Sequence, residues 1–122
     1  MTFVRQNVGK RGEEAASSCL EKAGYRIIDR NYRCVFGEID IVAEDGDCIV
    51  FVEVKSRRSS SYGPPQLAVD YKKQRKISMV ALHYIDEKNM RGRNARFDVV
   101  AVQFHGTETS MELIRNAFDL AF

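Results

Sequence analysis

The chain has 122 residues and a mass of 13.9 kDa, with 44% hydrophobic and 30% charged residues. That suits one domain spanning 1–122 with a core of its own and excludes two of ordinary size. No tract approaches the ~18 apolar residues of a membrane span, and Met1 to Arg11 lacks the apolar run of a secretory leader. Cys19, Cys34 and Cys48 are far apart and show no CxxC spacing, which argues against a disulfide framework or a zinc knuckle and points to a reducing cytoplasm. Two histidines leave little for a His-based triad or a His-rich metal site.

Net charge is only +2, but it is unevenly distributed. Between Lys55 and Lys76 stand Lys55, Arg57, Arg58, Lys72, Lys73, Arg75 and Lys76 against Asp70 alone. From Asp98 onward the balance reverses, with Asp98, Glu108, Glu112 and Asp119 against Arg115. Such segregation suits a polyanion, although a solvated helix face gives the same pattern.

Residues 9–24 have apolar positions at helical spacing (Ala15, Ala16, Cys19, Leu20, Ala23) with Gly24 as a stop. Strand formers follow from Tyr25 to Arg33, then a stronger strand from Glu38 to Ala43. Asp45-Gly46 between apolar runs signals a hairpin. The returning strand, Cys48 to Lys55, is the most apolar stretch and reads as central. Ser56 to Pro65 reads as a loop. A long amphipathic helix covers about 66–88, with Asp70 as a candidate N-cap and a stripe of Ile77, Val80, Ala81, Tyr84 and Ile85. Phe97 to Phe104 is a strand and Met111 to Ile114 an edge strand. The order α-β-β-β-α-β-β predicts an α/β (α+β) fold, a central mixed sheet flanked by helices, because the long helix must cross over to reach the last strands.

The hairpin arithmetic carries the chemistry. A turn at Asp45-Gly46 sets Asp40 opposite Phe51 and Glu38 opposite Glu53, so Glu38, Asp40, Glu53 and Lys55 share one face. Ile39, Ile41, Val50, Val52 and Val54 are expected on the other face. Two carboxylates ~7 Å apart repel by roughly 2–3 kcal/mol at an effective dielectric near 20. Something positive should offset this: Lys55, nearby arginines, or a hard divalent cation such as Mg²⁺, which accepts oxygen ligands and keeps waters. A structural ion-pair cluster and a metal site are both compatible with the pattern. Glu13 falls on the core-facing stripe of the first helix, where it either serves the helix dipole or completes the site. Lys73 lies at the rim of the second helix's apolar stripe. Glu38 and Asp98 read as ion-pair residues, His83 as a surface or packing residue, and Cys19 and Cys48 as buried small hydrophobes. Tyr25, Tyr32, Phe36 and Tyr62 suit either core packing or stacking on bases.

At these residues a resemblance emerges. Gly37-Glu38-Ile39-Asp40, followed by Phe51-Val52-Glu53-Val54-Lys55-Ser56-Arg57, resembles the PD-(D/E)xK pattern of the restriction-endonuclease-like superfamily. More closely, the chain resembles the small bacterial YraN-like family of predicted nucleases. Gly12-Glu13, Arg30-Asn31, Tyr62-Gly63-Pro64 and Arg96-Phe97-Asp98-Val99-Val100 also fit, so the likeness covers about residues 9–103. That family is similar to archaeal Holliday-junction resolvases. The resemblance implies a restriction-endonuclease-like fold and a Mg²⁺-dependent (or Mn²⁺-dependent) endonuclease site acting on DNA, including branched or junction DNA. It implies Asp40, Glu53 and the Val54 carbonyl as metal ligands, Lys55 at the attacking water or the scissile phosphate, and Glu13 as the helix acid near the metal. Where the motif has proline, Ile39 precedes Asp40. Arg57, Arg58, Lys72, Lys73, Arg75 and Lys76 are the expected phosphate contacts. Symmetric cleavage of a four-way junction would require a homodimer. The competing expectations are a non-catalytic nucleic-acid-binding module on the same scaffold and a protein-interaction domain with a structural acid cluster.

Overall fold

The computed structural model describes the backbone of residues 2–57 and 69–121 and the side chains of 9–57 and 69–121. The elements are α1 (Thr2–Lys22), β1 (Arg26–Cys34), β2 (Gly37–Asp45), β3 (Cys48–Arg57), α2 (Tyr71–Glu87), β4 (Ala95–His105) and β5 (Glu108–Phe118), in the expected order. The strands form one five-stranded sheet in the order β1-β2-β3-β4-β5. Neighbours are antiparallel except β3 and β4, which run parallel. A parallel pair needs a crossover, and α2 lies within it. Arg58, Ser59–Ser61 and Tyr62-Gly63-Pro64 fall outside the described residues, as does the expected helix start at 66–68.

The most apolar strand is central and is buried on both faces. Val50 and Val52 pack with Ile41, Val100, Ala16 and Leu20 beneath α1. Ile49 and Phe51 pack with Val42, Val99, Ile77, Val80 and Tyr84 beneath α2. Helix α2 begins one residue after Asp70, whose carboxylate caps it by accepting the Lys73 N–H at 2.8 Å. Helix α1 starts at Thr2, well before the expected residue 9. An interior glycine such as Gly9 costs a helix only about 1 kcal/mol and does not end it. β5 is also longer than expected because main-chain pairing runs from His105↔Glu108 to Phe97↔Phe118, although its outer residues lack alternation. Cys19 and Cys48 are half-buried rather than buried. Among the described residues no helix is long and apolar enough to cross a membrane.

Two expectations about the hairpin need correction. The turn is Gly46-Asp47, with Asp45 opposite Cys48. Gly46, at φ +59°, takes the first central position, where a type II′ turn calls for glycine. The register therefore shifts by two from the predicted one, and Val42, not Asp40, faces Phe51. The second correction concerns the faces. Ile39 packs beneath α2 whereas Ile41 packs beneath α1, two residues apart yet on opposite sides. Regular alternation would keep them together, so β2 wrenches at Asp40. Asn31, which falls opposite Asp40 between the Arg30↔Ile41 and Tyr32↔Ile39 pairs, has φ +51°, a left-handed conformation that asparagine tolerates.

Asp98 is fully buried and fully satisfied. It accepts from Tyr25 Oη (2.7 Å), Arg96 Nε (3.0 Å) and the Asn116 N–H (2.9 Å). Arg96 extends the network to Asp45 at 2.8 Å, and Arg115 Nε donates to Tyr25 Oη at 3.1 Å. Burial and the neighbouring carboxylate hold the Tyr25 hydroxyl above its ordinary pKa. Asp98 thus pairs with Arg96 as its sequence position suggests, and it also ties Tyr25, just before β1, to β4 and β5. Replacing it takes an acceptor from the Tyr25 hydroxyl, the Arg96 Nε and the Asn116 N–H at once. We expect Asp98→Ala to lower unfolding stability by about 3 kcal/mol or more, measured by urea denaturation; a loss near zero would show that the network is dispensable.

Candidate active site

The β2–β3 ladder ends at Ile41↔Val52, while β3 stays paired to β4 as far as Arg57↔Gln103. The sheet therefore forks at Asp40 and Glu53. Asp40 closes the crotch of the fork: its Oδ2 accepts the Val54 N–H at 2.8 Å. A side chain has taken over a ladder bond that the β2 backbone would otherwise supply. The opening between the strands is lined by Glu13, Asn31, Glu38, Asp40, Val54 and Lys55, among others.

Glu53 is only 7% exposed. Taken as a carboxylate, it leaves Oε2 buried without a hydrogen-bond donor. The nearest cation, Lys73 Nζ on α2, stands at 3.7 Å, close enough for charge attraction but too far for a hydrogen bond. Burial, followed by the hydrogen bond and charge of the Asp40 carboxyl, pushes Glu53 up to about 8, against the pull of Lys73 and Lys55. Near neutral pH the pair therefore tends to hold a proton that an added cation would displace.

Glu13 arrives from α1. Burial raises its pKa, Asp40 and Glu38 raise it further, and Arg30 opposes them. With its amide nitrogen turned toward the acids, Asn31 donates to Glu38 at 3.1 Å and to Glu13 at 3.0 Å. Gly12 permits the close approach of the helix: a Cβ there would collide with the Ser56 hydroxyl and stand 3.1 Å from Ser56 Cβ. Glu38 pairs with Arg33 at 3.1 Å, the ion-pair role expected of it.

The structure thus gathers Glu13, Asp40, Glu53 and Lys55 at one end of the hairpin, with Val54 between them. It divides the expected phosphate-binding set. Lys73 is drawn in toward Glu53, whereas Lys72, Arg75 and Lys76 remain exposed on α2. Arg57 ends β3 and is half-buried, and Arg58 lies outside the described residues. Asn31 was legible only as part of the resemblance; its role requires a left-handed backbone that no hydrophobic pattern announces.

Among the described residues no three His, Cys, Asp or Glu side chains converge as a ready-made metal-binding set. A hard cation that keeps most of its waters needs only one or two carboxylates. The buried, donorless oxygen of Glu53 beside Asp40 fits that requirement, and the Val54 carbonyl lies in the same segment.

The model of the uncharacterised protein family UPF0102 matches residues 12–102, which include all of these site residues. This chain belongs to UPF0102. A UPF0102 protein of Syntrophus aciditrophicus is 59% identical over 114 residues, covering 93% of this chain and 90% of the relative. One from Geobacter metallireducens is 49% identical over 122 residues, covering 100% of both chains. One from Moorella thermoacetica is 46% identical over 120 residues, covering 97% of this chain and 100% of the relative. The UPF0102 match begins at Gly12, the residue that lets α1 approach β3.

The raised pKa of Glu53 fixes the sign of a stability effect in this UPF0102 chain. Below about pH 4.5 both folded and unfolded states hold the proton, and Glu53 adds no pH-dependent cost. As the pH rises towards 8, the unfolded chain releases the proton and the folded one retains it, so stability declines. Glu53→Gln removes the titration. The variant should gain on the wild type by a few kcal/mol between pH 5 and pH 8, measured by denaturant unfolding. Millimolar Mg²⁺ or Mn²⁺ at pH 8 should raise the melting temperature of the wild type but not of Glu53→Gln. Parallel pH profiles for the two proteins would contradict the placement of Glu53.

Proposed function

We propose that this protein is a divalent-cation-dependent endonuclease that hydrolyses phosphodiester bonds in DNA, including branched or junction DNA. The supporting observation is buried Glu53, with a donorless oxygen, against half-buried Asp40, which lines the open fork of the sheet together with Lys55. The resemblance to the PD-(D/E)xK pattern joins the same residues. Asp40 and Glu53 would hold Mg²⁺ or Mn²⁺, with the Val54 carbonyl as a further ligand. When bound, the cation supplies polarisation of the phosphate and a more acidic water. Lys55 holds its ammonium toward the reacting phosphate and counters the charge that develops there. Glu13, with its raised pKa, is suited to accept a hydrogen bond from water at the rim. Lys72, Arg75 and Lys76 attract the backbone without reading sequence.

A second reading, a nucleic-acid-binding module without catalysis, is favoured by Lys73. Its ammonium already offsets part of the charge of Glu53, as in a structural ion-pair cluster. The two readings separate on labelled four-way junction, flap, duplex and single-stranded DNA incubated with Mg²⁺ or Mn²⁺. Nuclease action requires cleavage that falls at least about a hundredfold in Glu53→Gln and Lys55→Ala. Binding without cleavage in every condition supports the second reading, and cleavage that survives both substitutions identifies a contaminant. In either case log affinity should fall steeply with log salt, with a slope reduced by about one for each phosphate-contacting cation removed.

A further inference from the structure

The β1–β2 turn and the outer face of α2 form a groove that the catalytic reading does not use. It is lined by Phe36, Met79, Lys72, Arg75 and Lys76. Phe36 sits in the turn rather than in a strand, 43% exposed, with Val35 beside it 88% exposed. Met79 across the groove is 39% exposed. The Phe36 ring is supported from behind by His83, edge-on at 6.1 Å between centroids. An aromatic residue has therefore been kept at the surface and braced, rather than folded into the core beneath α2 with Tyr84 and Phe51.

The cations identify the occupant. Lys72, Arg75 and Lys76 are three and four residues apart and so form one flank of the helix. No acid lines the groove among the described residues. Lys73, the next residue after Lys72, reaches Glu53, so the same first turns of α2 connect the groove with the acid pair. An apolar peptide would leave three cations unmatched. A paired duplex would engage the cations but keep its base faces stacked away from Phe36 and Met79. A strand of unpaired nucleotides satisfies both halves, with its phosphates along Lys72, Arg75 and Lys76 and a base face on the ring and thioether.

We propose that this groove binds an unpaired stretch of the nucleic-acid substrate, next to the phosphodiester held at Asp40 and Glu53. The proposal rests on the nuclease reading for its place in the reaction but not for the binding itself. It makes frayed, flapped or branched DNA the preferred substrate because only such DNA presents a base outside the stack. Phe36 is a specificity-determining residue here and touches no reacting atom.

Fluorescence anisotropy tests this with the full chain, a labelled short oligothymidylate and a labelled blunt duplex, without divalent cation. Phe36→Ala should weaken oligothymidylate binding about tenfold or more, while Phe36→Tyr retains it within about twofold. The preference for single strand over duplex should fall along with it. An oligothymidylate affinity unchanged in Phe36→Ala overturns the proposal, as does failure of the wild type to bind the single strand. Phe36-dependent binding by a protein that cleaves nothing keeps the groove and rejects the nuclease. Cleavage with Phe36-independent binding does the reverse.

Discussion

The hydrogen bond from the Val54 N–H to Asp40 Oδ2, 2.8 Å long, is the interaction on which the site depends. It ends the β2–β3 ladder with a side chain rather than a backbone carbonyl. β3 can then leave β2 without an orphaned amide while remaining paired to β4. It also fixes the orientation of the Asp40 carboxyl and brings it against Glu53. Without this bond the two strands would either continue pairing and close the fork, or part and expose the Val54 amide. The wrench in β2 that sends Ile39 and Ile41 to opposite cores is the geometric counterpart of this substitution.

The two buried acids of this sheet contrast with each other. Asp98, with no exposed surface, is surrounded by donors from Tyr25, Arg96 and Asn116 and is fully satisfied. Glu53, nearly as buried, has an oxygen without a donor and a second carboxyl at its side. Stability alone explains the first arrangement, a hydrogen-bonded network that joins strands distant in sequence. It does not explain the second, in which an apolar residue would cost less. Groups perturbed in this way cluster at functional sites, which is why the proposed function is built on Glu53 and not on Asp98.

Much of this was legible in the sequence, and the misreadings have physical causes. The order of elements followed from periodicity, and the central place of Cys48 to Lys55 from its continuous apolar run. Asp70 announced its cap. The Asp45-Gly46 pair fixed the existence of a hairpin but not its register, since glycine suits either central turn position depending on turn type. The error of two residues preserved parity, so Asp40 and Glu53 were still brought together. The break in alternation at Asp40 was not legible: it coincides with a positive φ at Asn31 in the neighbouring strand, which no hydrophobic pattern announces. Lys73 counts among the six expected phosphate contacts yet also lies at the rim of the apolar stripe of α2; the packing of α2 on the sheet decides between the two and separates it from Lys72, Arg75 and Lys76.

The parallel pairing of β3 with β4 also orders events in time. Asp40 and Glu53 meet through a local hairpin, which forms within microseconds. β4 and β5 cannot join until α2 has been laid across the sheet, a step of much greater loop-closure cost. The refolding chain therefore meets the repulsion of its two carboxylates before the ammonium of Lys73 has arrived to moderate it. An unfavourable early contact thus leaves its trace in how the molecule assembles.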